Sequence, residues 1–227
     1  MKKLFTLSSL LLAAALLVTG CSKSGTKAPA NKNYILATGG TSGTYYPFGG
    51  AIANIWNIKL SHMNVTAQAT GASAENLRLL NKGEAEYAIV QNDVMDYSYN
   101  VTDLFAGEKL SNVMTIGTLY PEVVQIAVSK ASGITSITDF KGKRISVGAA
   151  GSGVEFNAKQ IMEGYGLTFD DIKKSNLSFK ESAEGIQNGT LDGCFITAGV
   201  PNSALQELAF TAGLILIPVE GVAADII

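Results

Sequence analysis

Residues 143–153 read Lys-Arg-Ile-Ser-Val-Gly-Ala-Ala-Gly-Ser-Gly, and they repeat the architecture of residues 34–43, Tyr-Ile-Leu-Ala-Thr-Gly-Gly-Thr-Ser-Gly. In both stretches an apolar strand runs into a glycine-rich turn that opens a helix. Each stretch is followed by a further helix and further strand patterns. The repeat therefore predicts an α/β chain of two similar lobes, each a βαβαβ unit.

The helix after each glycine turn is predicted to bury a matching apolar stripe. Both stripes follow the spacing +4, +3, +1, which is typical of a helix face that packs on a core. The stripe residues are Phe48, Ile52, Ile55 and Trp56 in the first helix and Val154, Ala158, Ile161 and Met162 in the second. Strands are predicted at 34–37, 65–69 and 87–90 in the first unit and at 144–147, 177–180 and 194–197 in the second.

The first 20 residues have the pattern of a secretory signal peptide. Lys2 and Lys3 precede an apolar run from residue 4 to residue 18, which is shorter than a membrane-spanning helix requires. Small residues then precede Cys21, so the segment resembles a bacterial lipoprotein signal with Cys21 as the acylated first residue of the mature chain. The alternative is ordinary cleavage that leaves Cys21 as a free thiol. Residues 21–33 are polar and without periodicity, which predicts a flexible tether.

Charge and composition argue against a nucleic-acid partner. The chain has 17 basic and 19 acidic residues, and loss of Lys2 and Lys3 with the signal would leave 15 against 19, a net charge of −4. No basic patch is evident in the sequence. A lipid-anchored, extracytoplasmic location follows from the predicted signal and anchor.

The glycine loops are candidate anion sites. Glycine at 148, 151 and 153 lets backbone N–H groups turn toward a guest, and the start of the next helix adds partial positive charge. The pattern fits neither the phosphate loop nor GxGxxG. The alternative is a turn that only allows tight packing of strand on helix, but two facing copies favour binding.

Four strand ends are expected to surround one cleft, because ligands of open α/β sheets bind at the carboxyl ends of strands. Hydroxyl groups, amides and backbone N–H groups at those ends are the candidate ligand-binding groups, and Tyr45 would form a wall. The alternatives are core packing for Tyr45 and turn capping for Gln91 and Asn92. The candidate residues are Thr44, Tyr45, Gln91, Asn92, Gly151, Ser152, Gly153, Thr197 and Gly199.

Catalysis finds little support in the sequence. The single histidine, His62, lies in a polar connection, and Ser152 has no second histidine as a candidate base. No cluster of His, Cys and acidic residues has zinc-like spacing. We therefore expect no enzymatic activity, no metal and no cofactor.

Several motifs together resemble the TAXI class of extracytoplasmic solute receptors of TRAP (tripartite ATP-independent periplasmic) transporters. The resemblance extends from residue 34 to about residue 219. It rests on residues 38–47 (Thr-Gly-Gly-Thr-Ser-Gly-Thr-Tyr-Tyr-Pro), 70–73 (Thr-Gly-Ala-Ser), 91–93 (Gln-Asn-Asp), 119–122 (Leu-Tyr-Pro-Glu), 139–144 (Asp-Phe-Lys-Gly-Lys-Arg), 151–153 (Gly-Ser-Gly) and 197–201 (Thr-Ala-Gly-Val-Pro).

This resemblance implies a type II periplasmic-binding-protein fold whose lobes close on a small solute, an organic acid or an amino acid such as glutamate or glutamine. The receptor would hand its solute to a TRAP membrane permease driven by an ion gradient. By the same resemblance, Tyr45, Gln91, Asn92, Ser152, Gly153 and Thr197 occupy cleft positions. Val154 stands where the family often has threonine, which removes one hydroxyl contact.

The lobe boundaries are predicted at 34–118 and 119–213, with a hinge at about 113–129. Residues 214–227 are predicted to begin the return crossover to the first lobe, and family members continue beyond this point. The first lobe is therefore expected to be incomplete at its C-terminal side. Two alternatives stay open at this stage: a receptor of the same fold for an ABC importer, and a module that senses a solute without transporting it.

Overall fold

The structure is a computed structural model that describes residues 32–221 and 224. The predicted signal peptide, the anchor at Cys21 and most of the tether lie outside the described residues. Residues 222, 223 and 225–227, at the end of the predicted return crossover, also lie outside them. Within the described part, no helix is both long enough and apolar enough to cross a membrane.

Two β-sheets organise the described chain. Its strands are β1 (Lys32–Ala37), β2 (Met63–Gln68), β3 (Tyr87–Ala88), β4 (Val123–Ser129), β5 (Arg144–Ser146), β6 (Lys173–Ser175), β7 (Gly193–Ala198) and β8 (Leu214–Ile217). The α-helices are α1 (Tyr45–Lys59), α2 (Ser73–Lys82), α3 (Asn92–Asn100), α4 (Gly153–Gly164), α5 (Phe179–Gln187) and α6 (Ser203–Thr211). Short 3-10 helices lie at Asp103–Phe105, Lys130–Ser132, Ile137–Phe140 and Phe169–Asp171.

The strand orders show the predicted duplication. The first sheet is parallel, in the order β2-β1-β3, and the second has the order β6-β5-β7-β4-β8. Within the second sheet β6, β5 and β7 are parallel and repeat the order of the first sheet, while β4 pairs antiparallel with both β7 and β8. The fold is the two-lobed type II periplasmic-binding-protein fold. We call the parts built on these sheets the first and second lobes.

One predicted strand is wrong. The strand expected at 177–180 lies earlier, at Lys173–Ser175, and helix α5 begins at Phe179. The cause is a capping box, in which the Ser178 hydroxyl accepts from the Glu181 N–H (3.4 Å) and the Glu181 carboxylate accepts from the Ser178 N–H (2.9 Å). Such a pair satisfies two free donors and starts a helix.

The buried stripe is as predicted in α4 but only half correct in α1, where Ile52 and Trp56 pack against the core. Val154, Ala158, Ile161 and Met162 are all buried. In α1, Phe48 and Ile55 are 40% and 56% exposed, and the buried positions are Tyr45, Gly49 and Ala53. The reason is a close approach at Gly49, where a β-carbon would lie 2.5 Å from the Thr38 side chain. Helix α1 therefore packs on its sheet through Gly49 and Ala53 together with Tyr45, Ile52 and Trp56, while Phe48 and Ile55 point away from the core.

The second lobe holds the larger core. Phe140 and Phe195 pack edge to face, with ring centroids 5.8 Å apart, on the side of the sheet covered by α4. On the other side α5 and α6 pack around the buried strand β7. Arg144 and Asp192 tie the start of β5 to the start of β7 with a contact of 2.6 Å. Packing on both sides of the second sheet therefore fixes the positions of the carboxyl ends of β5 and β7.

Candidate functional site

A cavity lies between the two lobes at the carboxyl ends of their strands. Its empty volume is about 570 Å³, a figure that includes open solvent at its mouth. The first lobe contributes the loop after β1, the turn before α2 and Gln91 after β3. The second contributes Ala149, Ser152, Val154, Ser178, Phe179, Thr197 and Ala198. The sheet geometry thus forms the single cleft that the sequence predicts.

Four helices begin at the wall of this cavity. The residues that precede α1, α2, α4 and α5 are Thr44, Ala72, Ser152 and Ser178, and all four line it. The Ser152 and Ser178 side chains cap their helices, whereas Thr44 and Ala72 make no side-chain cap bond. At the start of α1 the N–H groups of Tyr45 and Tyr46 are thus donors that a guest anion can use, whereas at the start of α2 the Glu75 carboxylate already accepts from the Gly71 N–H at 2.7 Å.

The structure brings five of the predicted site residues to the cavity: Thr44, Tyr45, Gln91, Ser152 and Thr197. The other four do not line it. Asn92 is exposed at the start of α3, and the Gly151 N–H donates to the Glu155 carboxylate at 2.8 Å. Gly153 packs against the Gln91 side chain, and the Gly199 N–H donates to Oγ1 of Thr44 at 3.1 Å.

Asn157 joins the lobes beside the cavity. Its side-chain oxygen accepts from Gln91 (2.9 Å) and from the Thr197 hydroxyl (3.0 Å), and its Nδ2 donates to Asp93 (3.0 Å). Nearby, the rings of Tyr97 and Phe156 lie 4.5 Å apart. The sequence analysis missed Asn157, although an amide on the face of a helix next to a buried stripe is a detectable signal.

A second set of contacts links the lobes at the loop after β1. The Ser42 carbonyl accepts from Nδ2 of Asn202 (3.3 Å) and from the Ser203 hydroxyl (3.2 Å), at the start of α6. Together with the bond between Thr44 and Gly199, these contacts tie the predicted glycine loop of the first lobe to the end of β7. The described structure is therefore a closed arrangement of the lobes.

Glu122 is a cavity residue that the sequence analysis missed. It lies just before β4 and accepts a hydrogen bond of 2.8 Å from the Tyr45 hydroxyl. Burial raises the pKa of Glu122 to about 7; the Tyr45 bond opposes this shift, and the charge of Asp93 adds to it. Burial, followed by the charge of Glu122, also raises the pKa of Tyr45. The available signal was an acid that interrupts the apolar segment 113–129.

Ser152 acts here as a helix cap, because its hydroxyl accepts from the Glu155 N–H at 3.2 Å. Within residues 32–221 no group of three or more His, Cys, Asp or Glu side chains is placed to hold a metal ion. The cavity wall instead combines backbone amides, hydroxyls, one amide side chain and one carboxyl group. Such groups bind and orient a polar solute.

Solved structures share this fold at low sequence identity. The alkanesulfonate-binding protein SsuA from Xanthomonas axonopodis pv. citri, bound to MOPS, is 18% identical with a TM-score of 0.57, over 86% of this chain and 63% of that one. An ancestral arginine-binding protein bound to arginine is 15% identical (TM-score 0.56; 83% and 80%). An ABC uptake transporter substrate-binding protein from Streptococcus pneumoniae with bound histidine is also 15% identical (TM-score 0.56; 84% and 76%).

The family assignment rests on a sequence match that covers most of the chain. The chain spans less than two thirds of the length of SsuA, and identities this low establish the fold alone. The matching family model runs over residues 36–227, so it includes both glycine loops and, apart from the first four residues of β1, all strands of both sheets. The chain belongs to the NMT1-like family.

Proposed function

We propose that the chain is an extracytoplasmic receptor whose two lobes close on a small organic solute for delivery to a membrane importer. The observation that carries this proposal is the cavity between the lobes, with four helix starts on its wall. Clefts at the carboxyl ends of strands are where α/β folds bind small molecules. The contacts of Asn157 with both lobes support a domain closure around the solute.

The proposed ligand-binding residues are the five that line the cavity, Thr44, Tyr45, Gln91, Ser152 and Thr197. The uncapped first turn of α1 favours an acidic group on the solute. The ligands of the similar structures, MOPS, arginine and histidine, all carry such a group, which supports the same inference. A carboxylate or an amino acid is therefore the proposed class of solute.

The type of importer is a finer proposal with two candidates. Several similar structures are substrate-binding proteins of ABC transporters, one of them for amino acids, which favours an ABC importer. The motif resemblance to TAXI receptors favours a TRAP permease. Solute uptake into membrane vesicles supplied with the receptor distinguishes the two importers. Uptake that depends on ATP and not on an ion gradient would contradict the TRAP assignment. Uptake that depends on an ion gradient and not on ATP would contradict the ABC assignment.

Lipid anchoring through Cys21 is a separate proposal, based on the signal pattern of residues 1–21. Replacement Cys21→Ser is expected to move the chain from the membrane fraction of the producing bacterium to the soluble fraction. Retention of the variant on the membrane would contradict the anchor.

Binding in the cleft is tested with Gly40→Trp. A β-carbon at Gly40 would point across the cavity toward Ser178, 4.0 Å away, and the Gly40 backbone does not have a positive φ. An indole there fills the cavity, so we expect loss of solute binding with little change in the melting temperature. The measurement is calorimetric titration with amino acids and with short dicarboxylic acids.

The matched control is Gly50→Trp, which adds the same side chain on the exposed face of α1, where nothing lies within 4 Å. This variant should bind as the unaltered chain does. Equal binding by both variants would mean that the solute site lies elsewhere, and absence of binding by the unaltered chain would contradict the receptor proposal.

A further inference from the structure

Glu122 is the one charged side chain on the cavity wall within the described residues. Its carboxyl group accepts from the Tyr45 hydroxyl at 2.8 Å, and no lysine, arginine or histidine of the described part lines the cavity. The remaining wall is made of glycine, alanine, hydroxyl, amide and aromatic groups. A charged group of a bound solute therefore meets Glu122 or backbone dipoles.

The cavity has two electrically different regions. The uncapped first turn of α1 offers N–H groups and partial positive charge, whereas the first turn of α2 already holds the Glu75 carboxylate. Glu122 offers a carboxyl group in an environment where burial has removed much of its water. A solute with two negative groups would bring charge next to Glu122, which is unfavourable unless that carboxyl is protonated. A solute with one negative and one positive group matches both regions.

Asp93 is not an equivalent partner for a cation. It does not line the cavity, and its carboxylate already accepts from Asn157 (3.0 Å), from the Val94 N–H (2.8 Å) and from Gln91 (3.3 Å). Glu122 has a single hydrogen-bond donor, Tyr45, among the described residues. Glu122 is therefore the carboxyl group on the cavity wall whose oxygens can still accept hydrogen bonds from a solute.

We propose that Glu122 selects solutes that carry a cationic group, so that the ligand is a zwitterion with its ammonium group at Glu122 and its carboxylate at the start of α1. This inference rests on the proposed receptor function and narrows its solute class. Simple dicarboxylates are excluded from the preferred ligands, because they lack the group that pairs with Glu122.

The proposal has a pH dependence of definite sign. The titratable groups that face Glu122 are Tyr45 from α1, Tyr120 from the segment before β4 and Asp93 from α3. Burial raises the pKa of both tyrosines, so the two tyrosines stay neutral near pH 7. A bound ammonium group favours ionised Glu122, so binding releases its proton below about pH 7. Affinity for a zwitterion then falls by up to about tenfold per pH unit below that value. Affinity for a plain anion changes in the opposite direction.

The test is calorimetric titration of the full chain at pH 6, 7 and 8. The probes are the twenty common amino acids, the analogue of each binder with hydrogen in place of the amino group, and succinate, glutarate and 2-oxoglutarate. We expect an amino acid to bind and its desamino analogue to bind at least about tenfold more weakly, a loss of 1.4 kcal/mol. Glu122→Gln should weaken the amino acid by a similar factor and remove the pH dependence.

The matched control is Glu84→Gln, an exposed acid after the far end of α2, which should leave every affinity unchanged. Binding of the desamino analogue or of a dicarboxylate as tightly as the amino acid, or unchanged binding by Glu122→Gln, overturns this inference and leaves the receptor proposal standing. If Glu122→Gln does not fold, two measurements on the unaltered chain still test this inference: the pH dependence of the affinity and the comparison of each amino acid with its desamino analogue. If no probe binds, the receptor proposal is contradicted as well.

Discussion

Glu122 is the residue at which burial and charge oppose each other most directly. Its ordinary pKa of 4.5 is raised to about 7, first because burial removes water from the carboxylate and then because Asp93 is nearby. The bond from Tyr45 offsets part of this shift. In the unliganded chain below pH 7, the neutral carboxylic acid is therefore the favoured form.

This shift predicts how stability depends on pH. Between about pH 4.5 and pH 7 the folded chain holds a proton that the unfolded chain releases, so the stabilisation is present at low pH and is lost as pH rises through the folded pKa. Relative to Glu122→Gln, the free energy of unfolding should fall by about 2–3 kcal/mol from pH 4.5 to pH 8. Urea denaturation at several pH values measures the difference.

Other acids with altered pKa values do not affect the comparison of the unaltered chain with Glu122→Gln. Arg144 lowers the pKa of Asp192. For Glu155, burial acts to raise the pKa, but the bonds from Lys174, Gly151 and Asn176 outweigh it and lower the pKa. Both acids are the same in the two variants. Parallel curves for the unaltered chain and Glu122→Gln would show that the Glu122 carboxyl is not held neutral by the fold.

At the scale of the element, α1 depends on a glycine that lets it approach its sheet. A β-carbon at Gly49 would meet Thr38 at 2.5 Å and Leu36 at 3.4 Å, whereas one at Gly50 would meet nothing within 4 Å. The two adjacent glycines therefore differ in function although they belong to the same helix. One allows packing, and the other only weakens the helix.

We predict opposite effects for the two alanine substitutions. Gly49→Ala should destabilise by about 1–3 kcal/mol, because it overpacks the contact with Thr38. Gly50→Ala should stabilise by about 0.5–1 kcal/mol, because alanine favours a helix interior at an exposed position. Thermal unfolding of both variants measures the signs. Equal effects from the two substitutions would contradict the close packing of α1.

The elements also show what the sequence can and cannot reveal. The duplicated glycine turns predict two lobes with matching strand orders, and the +4, +3, +1 stripe predicts the buried face of α4. In α1 the same stripe is right for Ile52 and Trp56 and wrong for Phe48 and Ile55, because the close approach at Gly49 shifts the packed face and periodicity alone does not register a missing side chain. The strand expected at 177–180 fails because the capping box at Ser178 decides that segment.

The sequence likewise predicts some residues of the candidate site and not others. Thr44, Tyr45, Gln91, Ser152 and Thr197 follow from the rule that strand ends form the cleft. Glu122 and Asn157 do not follow from it, because Glu122 precedes its strand and Asn157 lies within a helix. Their positions depend on how the lobes face each other, which is a property of the three-dimensional arrangement.

At the scale of the whole molecule, the closed arrangement depends on few direct polar contacts. Asn157 of the second lobe bonds to Gln91 and Asp93 of the first, and Gln91 and Thr197 also line the cavity. The same amide oxygen accepts from Thr197 within its own lobe. Closure and solute binding therefore share side chains, which couples the two energetically.

Replacement Asn157→Ala should favour an open arrangement of the lobes. It removes two bonds between the lobes, each worth about 0.5–1.5 kcal/mol, and leaves Gln91 and Asp93 free to take water instead. Together the two bonds amount to about 1–3 kcal/mol, which alters the ratio of open to closed forms by about five- to 150-fold. Small-angle X-ray scattering without solute should show a larger radius of gyration for the variant, and saturating solute should reduce it.

The control for this experiment is Asn57→Ala, which removes an asparagine of similar geometry from within the first lobe. The Asn57 side chain bonds to the Val65 backbone, donating at 2.9 Å and accepting at 2.6 Å, so its loss should lower the melting temperature and leave the radius of gyration unchanged. If Asn157→Ala behaves in the same way, Asn157 stabilises the fold and does not hold the lobes together. An expanded unliganded form that contracts with solute would instead identify Asn157 as a contact that couples closure to binding.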